Sequence, residues 1–465
     1  MAEKLLFVSN RLPVTIEKKK GSINYKQSMG GLATGLGSFY QNYESLWIGW
    51  GGVTSESLST DEKKEIQRTL MDEYKNHAIW LSKKDVKQFY YGFCNRTIWP
   101  LFHYFPNYTT YDKSMWRAYE KVNKLFADTV IQFVNPDDTI WIHDYQLLLL
   151  PKLIREKLPD TKIGFFLHIP FPSFEIFRLL PWRNEIIEGM MGADLVGFHT
   201  YDYMRHFLSS VSRLLGYDHT IGQIIIDNRM VKVDAFPMGI DYDRYAKAPG
   251  EKETKDEIQR LKKRAMGRKV ILSVDRLDYS KGILHRLQAY NYFLHTFPEY
   301  REKVTLILVA VPSRTGVETY KILKNELDEL VGRINGECGT MDWMPVWYLY
   351  QFLPFQKLTA LYFICDVALI TPLRDGMNLI AKEYIATKGN TGGMLILSGM
   401  AGAVHELGEA IIVNPNNREQ VAAAIKEALE MPADEQKARN EVMQNRLQRY
   451  DVVRWAHDFM DRMQT

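Results

Sequence analysis

The chain has 465 residues, 46% hydrophobic and 25% charged, which exceeds one comfortable core and sets two domains as the expectation for a soluble globular protein. A formal net charge of +3 is too small to mark a nucleic-acid or membrane-surface binder. Three widely separated cysteines, Cys94, Cys338 and Cys365, exclude a disulfide framework and point to a reducing cytoplasm. The start, MAEKLLFVSN, has four consecutive apolar residues, too few for a secretory leader, and no apolar run reaches the length of a membrane span.

In chain order, short apolar runs predict strands at 5–9 (LLFVS), 139–144 (TIWIHD), 162–169 (KIGFFLHI) and 195–200 (LVGFHT). A break follows at 236–264, rich in proline, glycine and charge, which reads as a linker entering a solvated helix. Strands resume at 269–276 (KVILSVDR), 304–311 (VTLILVAV), 366–372 (DVALITP), 394–398 (MLILS) and 410–415 (AIIVNP). Near-continuous apolar strands alternating with helical patterns, such as 317–332 and 418–430, predict parallel sheets built from βαβ units. The expected fold is therefore α/β, with two Rossmann-like lobes facing each other across a cleft. The domains are expected at 1–240 and 241–465, the second including the terminal helix, which docks back through Val452, Trp455, Phe459 and Met463 on one face.

Open α/β sheets bind ligands beyond the carboxyl ends of their strands. The residues delivered there are Arg11, Asp144, His168, Arg276 with Lys281, Arg314, and Asp375 with Gly376, followed by Glu383 on the next helix. A single arginine after a strand is ordinary surface chemistry. Four cations with acids and a histidine point to a phosphate-bearing ligand, because guanidinium forks and ammonium charges match phosphate oxygens and can stabilise a departing diphosphate without a metal. The segment TPLRDGMNLIAKEYIAT (371–387) runs from strand to helix and offers backbone N–H groups and a helix dipole to such a group. Gly30 and Gly31 of GGLATGLG, at a predicted helix start, would add donors of the same kind. A dinucleotide-binding fingerprint fits poorly, since residues 10 to 29 separate those glycines from the first strand and G-x-G-x-x-G spacing is missing. Asp241-Tyr242-Asp243 mimics a D-x-D metal motif, but its place in the linker favours turn and cap duty. With no histidine pair at ligand spacing, no metal is expected.

The stretches VSNRLP, GGLATGL, LWIGW, IWPLFHY, WIHDYQLLLLP, GFFLHIPFPSFEIF, DRLDYSKG, RINGECG, TPLRDGMNLIAKEY and AGAVHELGEAIIVNP run along nearly the whole chain. Together they resemble the trehalose-6-phosphate synthase family, retaining glycosyltransferases of the GT-B type. The chain departs from the usual pattern at Gly399-Met400 and Asn416-Asn417, both beside the donor end. The resemblance implies transfer of glucose from UDP-glucose to glucose 6-phosphate, giving α,α-trehalose 6-phosphate by front-face displacement. It implies UDP-glucose as co-substrate, no cofactor and no metal, with small molecules rather than nucleic acid or membrane as partners; a homo-oligomer is compatible with it. Residue by residue, it implies acceptor binding by Arg11, Trp50, Tyr90, Asp144 and Arg314. Donor binding falls to Gly30, Gly31, Arg276, Lys281, Leu353, Asp375, Gly376, Met377, Asn378, Leu379 and Glu383. Catalytic roles fall to His168, Arg276, Lys281 and Asp375, and anomer selection to Trp99 and His168. A related transferase with another phosphorylated acceptor, and a sugar-phosphate sensor without turnover, are the alternatives that the residues leave open.

Overall fold

The computed structural model describes residues 4–19, 21–27, 44–226, 228–314 and 316–464. Gly30 and Gly31 lie outside these described residues. The chain divides into two compact units, Met1–Pro237 with Trp455–Thr465, and Met238–Arg454. Each carries one large sheet.

In the first unit, β1 (Leu5–Arg11) is followed by a hairpin of β2 (Val14–Lys19) and β3 (Ser22–Gln27), then by β4 (Ser45–Trp50) and β5 (Asn76–Ile79). After these come β6 (Thr139–His143), β7 (Lys162–Phe166), β8 (Leu195–Phe198), β9 (His219–Thr220), β10 (Gln223–Ile226) and β11 (Arg229–Ala235). The sheet order is β5-β4-β1-β6-β7-β8-β11-β10-β9, parallel as far as β11 and closed by the antiparallel β10 and β9. The interior strands are buried on both faces, which explains their unbroken apolar sequences.

Helix Val452–Gln464 packs on this sheet. The indole of Trp141 stacks on Phe459 at 4.6 Å, and Phe166 meets Trp455 edge-on at 5.0 Å. Gly164 in β7 and Gly197 in β8 make room for Phe459, since a Cβ at either would lie 2.7 Å from its ring. The terminal helix, expected with the second domain, thus contributes its apolar face to the first. The apolar stripe was visible in sequence; its partner was not.

The second unit contains β12 (Lys269–Arg276), β13 (Val304–Val311), β14 (Val346–Leu349), β15 (Val367–Ile370), β16 (Met394–Ser398) and β17 (Ile411–Val413). These six strands are all parallel, in the order β14-β13-β12-β15-β16-β17. This is the 3-2-1-4-5-6 order of a Rossmann fold, and it reverses between β12 and β15. Alternate residues of β12 feed two cores, Ile271 on one face and Val270, Leu272 and Val274 on the other. The predicted solvated helix is Lys252–Ala265, where only Thr254, Ile258 and Ala265 are buried. The Asp241 carboxylate accepts the Arg244 N–H at 3.1 Å and caps helix Tyr242–Lys247, while Asp243 pairs with Lys247. Both acids of the D-x-D look-alike therefore do local structural work.

Candidate functional site

In the first unit the strand order reverses between β1 and β6, so a ligand is expected beyond their carboxyl ends. Arg11 ends β1 opposite Trp50 of β4, and its guanidinium lies 4.7 Å from the Trp50 ring centroid. Gly52, at φ 98°, leaves space for that guanidinium: a Cβ there would sit 2.6 Å from Nη2. Tyr90 meets Trp50 edge-on at 6.4 Å. It is presented by Val86–Ile98, which winds as a π-helix and ends with the Trp99 N–H donating to the Cys94 carbonyl. Arg11, Trp50 and Tyr90 therefore form one contiguous cluster.

Asp144 follows β6 with φ 77° and ψ 170°, a region that residues with a Cβ rarely occupy. Its N–H donates to the Phe166 carbonyl at 2.8 Å, and its carboxylate accepts the His168 N–H at 3.2 Å. This ties the ends of β6 and β7 together and explains how the strain is held. The His168 ring stacks on His143 at 5.4 Å, with Nε2 3.2 Å from His143 Nδ1. Burial, followed by the neighbouring His199, pushes the His168 pKa well below the ordinary histidine value, so the ring is neutral near pH 7. Trp99 is 4% exposed, its ring tilted against His103 at 4.1 Å, and presents little of its ring to a ligand.

In the second unit the loops after β12 and β15 are stitched together at the reversal point. The Ser280 carbonyl accepts the Leu373 N–H at 2.8 Å and the Arg374 N–H at 3.2 Å. Lys281 Nζ lies 2.5 Å from Asp375 Oδ2, which also accepts from Asn378 Nδ2 at 2.9 Å. Gly402 lets the backbone approach this corner, since a Cβ there would fall 2.1 Å from the Gly376 carbonyl oxygen. Asn378, at φ 76°, caps helix Leu379–Lys388 by accepting the Ala381 N–H at 3.2 Å. The Met377 side chain is core, 3% exposed, which leaves its backbone as the part available to a ligand. Arg276 ends β12 exposed.

One turn along the helix, the Glu383 carboxylate accepts the Tyr362 hydroxyl at 2.9 Å. Its burial raises the pKa, opposed by bonds from Tyr245 and Tyr362. Leu353 is 6% exposed and packs in the same core as Leu361. Arg314 follows the end of β13. Its side chain is 4% exposed, and Nη1 lies 2.5 Å from both Asp278 Oδ2 and the Tyr320 hydroxyl.

Of the four predicted cations, Arg276, Lys281 and Arg314 gather around the single turn 276–281, while Arg11 stands in the other unit. Sequence reasoning missed the buried groups that hold that turn. Arg286, 1% exposed, donates to Asp275 Oδ2 at 2.9 Å, to Thr371 Oγ1 at 3.1 Å and to the Lys281 carbonyl at 3.0 Å. It thereby joins β12, its loop and the end of β15. A lone arginine one turn inside a helix gives no sequence signal for such a role.

The glycosyltransferase family 20 model matches residues 3–465. A bifunctional trehalose-6-phosphate synthase/phosphatase of Thermoproteus tenax is 48% identical, over 98% of this chain and 63% of its own length, so the chain spans about three-fifths of that relative. The 56 kDa subunit of the UDP-forming alpha,alpha-trehalose-phosphate synthase of Saccharomyces cerevisiae is 42% identical, over 98% of this chain and 93% of its own. The crystal structure of a UDP-forming synthase from Burkholderia xenovorans in complex with glucose-6-phosphate superposes with a TM-score of 0.90 at 32% identity, covering 100% of both chains.

Proposed function

The chain belongs to glycosyltransferase family 20, and on that premise we propose that it moves glucose from UDP-glucose to glucose 6-phosphate, with retention, to make α,α-trehalose 6-phosphate. The observation that carries this reading is the cationic turn 276–281 locked to the Asp375 corner at a helix N-terminus. Fixed cations and backbone donors placed before the reaction are what a departing diphosphate requires. We assign the second domain to the nucleotide sugar and the first to the acceptor.

Arg276 and Lys281 grip the donor diphosphate. The backbone of Gly376 to Leu379 meets glucose and phosphate, Glu383 accepts ribose hydroxyls, and the main chain at Leu353 meets the base. Asp375, already bonded to Lys281 and Asn378, serves as a fixed anion for sugar hydroxyls rather than as a nucleophile. On the acceptor side, Arg11 and Tyr90 receive the phosphate together with Arg314, while Trp50 and Asp144 meet hydroxyls. The neutral His168 positions the donor sugar, and Trp99 and His168 select the α anomer. A retaining glycosidase places two carboxylates about 5 Å apart and forms a covalent intermediate. In front-face displacement the leaving phosphate instead takes the acceptor hydroxyl proton as the new bond forms on the same face. No side-chain base is needed for that proton.

The test is incubation with UDP-glucose and glucose 6-phosphate, following UDP release and identifying the disaccharide by NMR. An α,α-1,1 linkage and acceptor-dependent UDP release are expected. UDP release only with a different phosphorylated acceptor would redirect the acceptor reading and leave the transferase reading in place.

A further inference from the structure

We infer that Tyr320 and Asp278 are positioning residues for Arg314, holding its guanidinium ready for the acceptor phosphate and coupling it to the turn that grips the donor. This rests on the reading of Arg314 as a phosphate ligand.

Three groups close a ring: Arg314 Nη1 donates to Asp278 Oδ2 and to the Tyr320 hydroxyl, each at 2.5 Å, and that hydroxyl donates to Asp278 Oδ2 at 2.9 Å. Tyr320 can fill both roles because a phenol donates one hydrogen and accepts with its lone pairs. Burial, reinforced by Asp278, raises its pKa, so the hydroxyl keeps its proton. The Asp278 side chain is 0% exposed. Its other oxygen accepts the Ser280 N–H at 3.0 Å, inside the turn that carries Arg276 and Lys281. Ser280 in turn receives the backbone of Leu373 and Arg374, and Lys281 pairs with Asp375. A displacement of Arg314 is thus passed, through one carboxylate, to the donor cations.

A plain stabilising role accounts for less. A buried arginine–aspartate pair gains little net stability after desolvation. Here it also holds Arg314 at φ 47°, a left-handed backbone that carries strain. Strain held by a satisfied network at the carboxyl end of a strand is how a ligand-binding group is kept in one pose.

Tyr320→Phe removes the hydroxyl and keeps the ring against Tyr279, 5.6 Å away, so the fold is retained and its Tm is checked directly. The KM for glucose 6-phosphate should rise about fivefold to tenfold, with kcat changed far less. The preference for glucose 6-phosphate over glucose should fall by a similar factor, and UDP affinity by calorimetry should move less than about twofold. Arg314→Ala, measured in parallel, should raise the same KM roughly tenfold to a hundredfold. If Arg314→Ala behaves so while Tyr320→Phe leaves KM and preference unmoved, the positioning role is wrong and the phosphate reading stands. If Tyr320→Phe lowers turnover of both acceptors equally, the ring only supports the fold and the inference fails. If Arg314→Ala spares the glucose 6-phosphate KM, the reading beneath it fails.

Discussion

The two reversal points solve the same topological problem with different chemistry. At the second unit's reversal point three buried or nearly buried cations face acids: Lys281 with Asp375, Arg314 with Asp278, Arg286 with Asp275. In the first, Arg11 lies on an indole, and among the described residues no carboxylate pairs with it. Around it stand Trp50 and the tyrosines Tyr90 and Tyr91. Ion pairs fix cations rigidly before a highly charged leaving group forms, whereas aromatic faces and neutral donors suit sugar hydroxyls and a single phosphate.

The sharpest way to break the comparison is Lys281→Met. The substitution removes the ammonium that pairs with the Asp375 carboxylate, 12% exposed. Removing one member of a buried pair costs about 3–5 kcal/mol of stability, and transfer should fall about a hundredfold to a thousandfold. Adding Asp375→Asn should return much of the stability and none of the activity. Urea unfolding and initial rates separate the two effects. Wild-type stability in Lys281→Met alone would mean that the pair does not lock the corner.

Glu383→Gln tests the same unit farther from the reacting bond. Glu383 is held by the hydroxyls of Tyr362 and Tyr245 rather than by a cation, so the substitution keeps the shape and loses charge-assisted acceptor strength. UDP itself should bind more weakly by about 1.5–3 kcal/mol. Calorimetry with UDP alone reads this, and an unchanged affinity would remove Glu383 from the nucleotide site.

How much of this was visible beforehand follows from burial. Strands such as Lys162–Phe166 and Val304–Val311 are buried almost throughout, so their unbroken apolar runs betray them. Val346–Leu349 is a half-exposed edge strand and Asn76–Ile79 a four-residue edge beginning with a buried asparagine; neither carries a periodic signal. That Arg11, Asp144 and Arg276 stand at strand ends was legible, because the apolar runs fix where the strands stop. The partners of Arg314 and Lys281 were not, since Asp278 and Arg314 are separated by 36 positions and Lys281 and Asp375 by 94. At Arg314 a sequence shows the cation and hides the acid it meets.

Acid should sharpen the contrast from the side of the first unit. Burial pushes the His143 and His168 pKa values well below 6.5, so both rings are neutral in the folded protein while an unfolded chain titrates them near 6.5. Below that value the unfolded state binds more protons, so stability rises with pH and is lost as pH falls through and below 6.5. Each ring contributes at most about 1.4 kcal/mol per pH unit. Urea midpoints at pH 7 and pH 5 measure the slope, and His143→Leu should flatten it. An unaltered slope in that variant would mean that His143 is not a buried neutral ring.

The smallest expected effect is none at all, on chelation. A divalent ion at the donor phosphates would need carboxylates to hold it, and those near the turn are committed: Asp375 to Lys281, Asp278 to Arg314, Asp275 to Arg286. Among the described residues no three His, Cys, Asp or Glu side chains are grouped to bind a metal. Asp241 caps a helix and Asp243 pairs with a lysine one turn away. The charge compensation that a metal would supply is available from Arg276, Lys281 and the helix beginning at Leu379. Transfer should therefore proceed at the same rate in excess EDTA as without it. A loss that magnesium or manganese restores would show that ion-paired cations do not suffice for the diphosphate. It would also return Asp241 and Asp243 to consideration as ligands, and the distinction between the two units would then lie in a metal rather than in how their cations are held.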